Sequence, residues 1–191
     1  MAEVVLDIET QNTFQDVGGF EHKKLKISLI GVYFYESDTY ESFLEEDLPK
    51  LWPRLERADR VIGYNTKGFD NPVINNYYPG DIGTIPQLDL LEQIAKVLGY
   101  RIKLDDVAKA TLGYGKSGTG LQAVEFWKER RLKELAEYCL MDVKVTKEVY
   151  EYARKNGHIK FEDRLGKIVE VPLQISGPES VRPAVNLTMP F

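Results

Sequence analysis

The sequence predicts an α/β domain, a mixed β-sheet flanked by α-helices. Three observations predict it. Val4–Ile8 is a short, nearly all-apolar run of the kind buried on both faces within a sheet. Ile27–Tyr35 (ISLIGVYFY) is a strong β run close behind it. After these, short strands alternate with helical spacings, closing with Leu132–Lys155, whose Leu132, Leu135, Ala136, Cys139, Val143 and Tyr150 share mainly one helical face. At 191 residues, 43% hydrophobic and 29% charged, the chain has the length and composition of one globular domain.

The elements follow in order. Gln11–Lys26 is polar, contains Gly18-Gly19, and reads as a surface loop, with a flap as the alternative. Thr39–Leu44 is a weaker strand, joined to Ile27–Tyr35 through the turn Glu36-Ser37-Asp38. Across Glu45–Ala58, Leu48, Leu51, Trp52 and Leu55 recur at helical spacing, while Pro49 and Pro53 obscure where that helix starts. Arg60–Tyr64 is a strand, Asp70–Tyr77 a helix ended by Pro79-Gly80, and Gln87–Leu90 a further short strand. Helices are expected at Leu91–Leu98, Asp105–Leu112 and Gln122–Arg131, with a Gly-rich loop at Gly113–Gly120. Beyond Gly157, Ile159–Phe161 and Ile168–Val171 can pair as a hairpin around Asp163–Gly166. The last twenty residues carry Pro172, Pro178, Pro183 and Pro190 and read as a loosely attached tail. The division expected is a domain over 1–156 and a C-terminal extension over 157–191.

Composition narrows the function classes. No apolar stretch approaches a membrane span, and the N-terminus starts directly in a strand rather than in a signal peptide. Cys139 is the single cysteine, so no intramolecular disulfide forms and a cytoplasmic location is expected. The net charge of −5 argues against a tight grip on duplex phosphates. It leaves room for a nuclease whose acids hold divalent cations.

Certain acids stand out. Asp7 and Glu9 are two residues apart on an apolar strand, so both side chains point to one face. Like charges there are costly without a cation between them, and the plain alternative is a strand that ends at Leu6 with both acids in solvated loop. Asp70 follows a strand and Phe69 at a helix start, where an Asp also serves as an N-cap. Tyr138 and Asp142 are four residues apart on the long helix and share a face. Two-metal phosphodiester hydrolysis needs hard oxygen ligands, and carboxylates from a strand and two helices can supply them.

In combination these segments resemble a known family. LDIET is similar to the first motif of the DEDD superfamily of 3′–5′ exonucleases. GYNTKGFD resembles its second motif in the form found in the proofreading domains of family B DNA polymerases. YCLMD resembles the third motif, Tyr-x-x-x-Asp, of the tyrosine-type (DEDDy) subgroup; the histidine type would need a His where Glu137 stands. The resemblance runs from about Val4 to Ala153 and includes the linking stretch LDLLEQIAKVLGYRIKLDDVAKATLG. It implies a ribonuclease H-like fold and a two-metal 3′–5′ exonuclease that releases nucleoside monophosphates from single strands. Asp7, Glu9, Asp70 and Asp142 are then the ligands of two Mg²⁺ or Mn²⁺ ions, Asp7 bridging, and Tyr138 orients the attacking water. Asn65 and Phe69 line the terminal-nucleotide pocket, and the backbone near Thr10 approaches the 3′-hydroxyl. Single-stranded DNA is expected ahead of RNA, and a polymerase or helicase partner would come from another chain.

Rival readings are weaker. ATLGYGKS (Ala110–Ser117) fits a permissive phosphate-binding loop, yet its strict first glycine is missing and a helix rather than a strand precedes it. Under the nuclease reading, Lys116 in this loop is a candidate for contact with substrate phosphates, and the plain alternative is an ordinary mobile loop. A catalytically silent nucleic-acid-binding or partner-binding module usually lacks a metal ligand, and here all four acids and the tyrosine are present. Arg101, Lys103, Lys128, Arg130 and Arg131 offer an extended phosphate track if the fold gathers them, but as scattered charges they read as solvated surface.

Overall fold

A computed structural model describes residues 2–115, 118 and 120–177. Among the described residues seven strands and six α-helices follow in the order β1 (Glu3–Thr10), β2 (Ile27–Phe34), β3 (Thr39–Leu44), α1 (Leu48–Leu55), β4 (Arg60–Gly63), α2 (Asp70–Ile74), β5 (Gln87–Asp89), α3 (Leu90–Leu98), α4 (Leu104–Leu112), α5 (Gly120–Lys128), α6 (Leu132–Asn156), β6 (His158–Glu162) and β7 (Ile168–Pro172). The main sheet runs β3-β2-β1-β4-β5, antiparallel across β3-β2-β1 and parallel across β1-β4-β5. It is a mixed sheet flanked by helices, the α/β class that the sequence predicts.

Strand alternation divides the core. Val4, Leu6 and Ile8 of β1 pair with Phe34, Val32 and Ile30 of β2 on one face, packed with Leu48, Leu51, Trp52 and Leu55 of α1. The opposite face carries Val5 and Tyr33 and is covered by α6, through Val143, Val149 and Tyr150, with α3, α4 and the β6–β7 hairpin beyond. β1 is buried along its length except at half-buried Asp7, so an acid on it lies within the fold rather than in a solvated loop.

Some elements differ from expectation. The helix from Asp70 ends at Ile74, and turns through Tyr77 and Tyr78 continue it, both N–H groups bonding Ile74 O. Pro49 lies in the first turn of α1, where its missing N–H costs nothing, and Pro53 is tolerated in the last turn. The segment ahead of the Gly-rich loop is helix α4, so the phosphate-binding-loop reading fails on topology. The expected hairpin forms, with Ile159 opposite Val171 and Phe161 opposite Val169. The chain after it is tied down as far as it is described: Leu173 is buried, its N–H bonds Gly157 O at 2.9 Å, and Arg60 donates to Ser176 O at 2.8 Å. The remainder of the expected tail, 178–191, lies outside the described residues. Among the described residues no helix is long and apolar enough to cross a membrane.

Candidate active site

Asp7 and Glu9 are not at a frayed strand end. β1 continues to Thr10, with Asp7 opposite Gly31 and Glu9 opposite Leu29, so the solvated-loop alternative is excluded. Both project from the face that α6 covers. A register shift between Glu9 and Thr10 bends the strand as it leaves the sheet, and Thr10 Oγ1 donates to Asn12 O at 2.8 Å.

Close approach of α6 brings the third motif to the first. A Cβ built on Gly31 would lie 2.8 Å from Cys139 Sγ and 3.2 Å from Val143 Cγ2, so a glycine opposite Asp7 is what lets the helix settle on the strands. Cys139 fills that contact, its thiol donating to the Asp7 carbonyl at 3.6 Å and to Asp7 Oδ2 at 3.7 Å. One residue before it, Tyr138, and one turn later, Asp142, are both buried rather than surface positions of an amphipathic helix.

The second motif is held by a residue that the sequence did not single out. Asp89, the N-cap of α3, accepts from the N–H of Glu92, Asn65 (2.8 Å) and Lys67 (3.0 Å). These bonds hold the Gly63–Asp70 loop, in which Asn65 takes a left-handed φ of 70°. Gly63 is obligatory there, since a Cβ would run into Thr66 and approach Leu6 O at 3.0 Å. Asp70 is the first residue of α2 with Phe69 at the cap position, so N-capping is not its role, and its side chain is 97% buried by area. The legible trace of Asp89 was its place at the end of a short strand ahead of a helix, which reads as an ordinary cap.

Burial and crowded carboxylates set the electrostatics. Asp70 is pushed up to about 7, first by burial and then by the Asp89 charge, while backbone hydrogen bonds from its own N–H and from Ile8 oppose the rise. Cys139 is held well above a normal thiol by burial and by the carboxylates of Asp7, Glu9 and Asp142. A protonated thiol is a poor ligand for a hard cation and serves here as a hydrogen-bond donor. The ligand atoms of Asp7, Glu9 and Cys139 lie within 4.8 Å of one another. The donor set is therefore oxygen from crowded, mostly buried acids, which fits Mg²⁺ or Mn²⁺ and not a thiolate-bound metal.

Asp7, Glu9, Thr10, Asn65, Phe69, Asp70, Tyr138 and Asp142 all line one cleft of about 430 Å³. Lys116 lies outside the described residues. Gln11–Lys26 does more than cross the surface: Asn12, Thr13, Phe14 and Leu25 form a wall of the cleft, and Phe14 meets Phe69 edge-on with ring centres 5.9 Å apart. A second cavity shares Asp7, Asn65 and Asp142 and adds Arg101 and Lys103; Arg101 donates to the Asn65 side-chain oxygen. Those two cations gather at the site, contrary to the reading of scattered surface charge.

No curated protein matches the sequence. Among solved structures, the chain resembles the family B DNA polymerase from the hyperthermophilic archaeon Pyrobaculum calidifontis, with a TM-score of 0.59 and 17% identity. The match covers 80% of this chain and 24% of that one, so the chain spans about a quarter of the polymerase's length. At this identity the likeness is one of fold. The profile of RNase_H_2, of the RNase_H superfamily, matches residues 4–154, and the chain belongs to that family.

Proposed function

We propose that this chain is a two-metal-ion 3′–5′ exonuclease that releases nucleoside monophosphates from the ends of single-stranded DNA. The observation that carries the reading is the convergence of Asp7, Glu9, Asp70, Asp142 and Tyr138 on one cleft, in a domain of the RNase_H superfamily. The cleft volume of about 430 Å³ is within the ~300–1,000 Å³ range of ligand sites. The fold shared with a family B DNA polymerase and the form of GYNTKGFD are what favour DNA. The same site would serve an exoribonuclease.

In this reading Asp7, Glu9 and Asp142 would hold one divalent cation, and Asp7 and Asp70 the second. Bound there, the two ions would supply Lewis acidity for the attacking water and for the oxygens around phosphorus. The chain's own groups do the rest. The Tyr138 hydroxyl orients water without competing for metal. Asn65 and Phe69 bracket the terminal nucleotide, with Phe14 as a further apolar wall, and the backbone at Thr10 meets the 3′-hydroxyl. Asp89 and Arg101 are positioning residues, acting through the Asn65 loop. The nuclease unit is 1–156 with 157–191 as an extension, and a polymerase or helicase is its proposed partner.

The test uses 5′-labelled single-stranded DNA and RNA oligonucleotides with Mg²⁺, Mn²⁺ or EDTA. A metal-dependent ladder shortening from the 3′ end is expected, faster on DNA. Tyr138→Phe should slow it roughly ten- to a thousand-fold while calorimetric metal binding is retained. An unchanged rate would remove Tyr138 from the mechanism, and no cleavage of either strand with either metal would overturn the proposal.

A further inference from the structure

Outside the cleft, a groove sets an aromatic ring beside cations with no acid in its lining. It is lined by Gln11, Asn12, Lys26, Trp127, Lys128 and Arg130, and it adjoins the cleft through Asn12, which lines both. Three cations and no acid line it among the described residues, in a chain whose net charge is −5. Ion pairing does not account for these cations. Arg131, the next residue, is bound to Glu129 and Glu134, whereas no carboxylate among the described residues lies within ion-pair distance of Lys26, Lys128 or Arg130.

The backbone holds this arrangement at some cost. α5 ends at Lys128, Arg131 N–H bonds Phe126 O at 2.8 Å, and Arg130 takes a φ of 59°. Glycine occupies that left-handed position after α3, α4 and α6, at Gly99, Gly113 and Gly157. A side chain there is disfavoured, yet it sets the Arg130 guanidinium 5.3 Å from the centre of the Trp127 ring. Trp127 packs against the cluster of Leu29, Ala123, Phe126 and Leu135 while it also lines the groove, so the indole is a braced surface. An indole among cations that form no close ion pair among the described residues, with the Asp16 charge reaching only Lys128, has beside the proposed nuclease cleft the chemistry of a base-stacking platform with phosphate contacts.

We propose that this groove is a second binding site for single-stranded nucleic acid, with one base stacked on Trp127 and phosphates held by Lys26, Lys128 and Arg130. It rests on the nuclease reading for the choice of ligand, and adds a subsite away from the scissile bond. Such a site predicts a preference for long over short strands.

Trp127 reports on it directly. The other tryptophan, Trp52, is 7% exposed in the core, so quenching by a bound strand reads Trp127. Oligothymidylate of about twelve nucleotides, titrated in EDTA, should quench the wild-type protein, and Trp127→Phe should lose that signal. Lys128→Ala/Arg130→Ala should weaken binding about tenfold at low salt, and lower the slope of log affinity against log salt by about 1.4 for two lost phosphate contacts. The same double variant should lower the ratio of dodecamer to dinucleotide hydrolysis, with its melting temperature checked for folding. Absence of quenching, or a salt slope unchanged in the double variant, overturns the proposal. Hydrolysis without quenching rejects the groove alone. Quenching that follows the predicted salt slope without hydrolysis supports the groove and rejects the exonuclease.

Discussion

The two ends of one strand–helix pair use the same spacing for opposite purposes. Glu3, Val5, Asp7 and Glu9 lie on the face of β1 that α6 covers, and α6 presents a tyrosine with a charged residue four positions later at each end. Toward the start of β1 the pair is Tyr150 and Arg154. Glu3, 2% exposed, accepts from Tyr150 at 2.9 Å and from Arg60 at 2.6 and 3.0 Å, and Arg154 approaches at 3.3 Å. Toward Thr10 the pair is Tyr138 and Asp142, and the helix adds a carboxylate to Asp7 and Glu9. Where arginine answers the buried acid, the protein neutralises its own charge and the result is structural. Where a third acid is brought in, the charge accumulates in a cleft, and a cation from solution is the natural complement. Tyr-x-x-x-Arg and Tyr-x-x-x-Asp on one helix thus separate a structural network from a candidate active site.

Substitutions at the two ends should fail in opposite ways. Asp142→Asn should cut turnover on the order of a thousand-fold, and leave the melting temperature of the metal-free protein equal or higher because it relieves like-charge crowding. An Asp142→Asn protein that turns over normally would break the metal assignment. Arg60→Ala should do the reverse, leaving Glu3 buried without its main partner at a cost of about 3–5 kcal/mol, read by denaturant melts. If Arg60→Ala melts like the wild type, the network at the start of β1 is ornamental. Gly31→Ala tests what joins the ends: the added methyl meets Cys139 and Val143, and overpacking of this kind costs about 1–3 kcal/mol. Because the displaced helix carries Asp142, activity should fall further than folded fraction explains; a proportional loss would mean that the approach of α6 matters only for stability.

The smallest effect concerns pH. Asp70 binds its proton up to about 7 in the folded chain and only to about 4 when unfolded, so the metal-free fold holds more protons between those values. Its contribution is fully present below about pH 4 and is lost as pH rises toward 7. Mg²⁺ or Mn²⁺ should therefore raise the melting temperature more at pH 8 than at pH 5. Equal shifts at both values would indicate that the cations do not engage Asp70.

Local pattern made much of this legible. The continuous apolar run of β1, the apolar spacing of α6 and the paired runs of β6 and β7 depend on neighbouring residues, and the three acidic segments could be read in order. Asp7 and Glu9 share a face because a strand alternates, and that much needs no tertiary information. Asp89 was not legible as a loop anchor, because its bonds to Asn65 and Lys67 span more than twenty residues while its bond to Glu92 is that of any N-cap. The groove was legible only in part: Lys128 and Arg130 belong to the possible phosphate track read from the sequence, but Lys26 is distant in the chain and the place of Trp127 beside them depends on the fold.

The sequence by itself determined the class of fold, the order of its elements and which acids were worth watching, since helix and strand periodicities are written in residues a few positions apart. Tertiary structure alone decided that the acids meet: the missing Cβ of Gly31 admits α6, Asp89 shapes the loop carrying Asn65, and the fold buries Asp70. It also decided that Glu3, on the same face of the same strand, belongs to a salt network instead. Close approach and charge compensation depend on residues far apart in the chain, and only the packed molecule brings them within reach of one another.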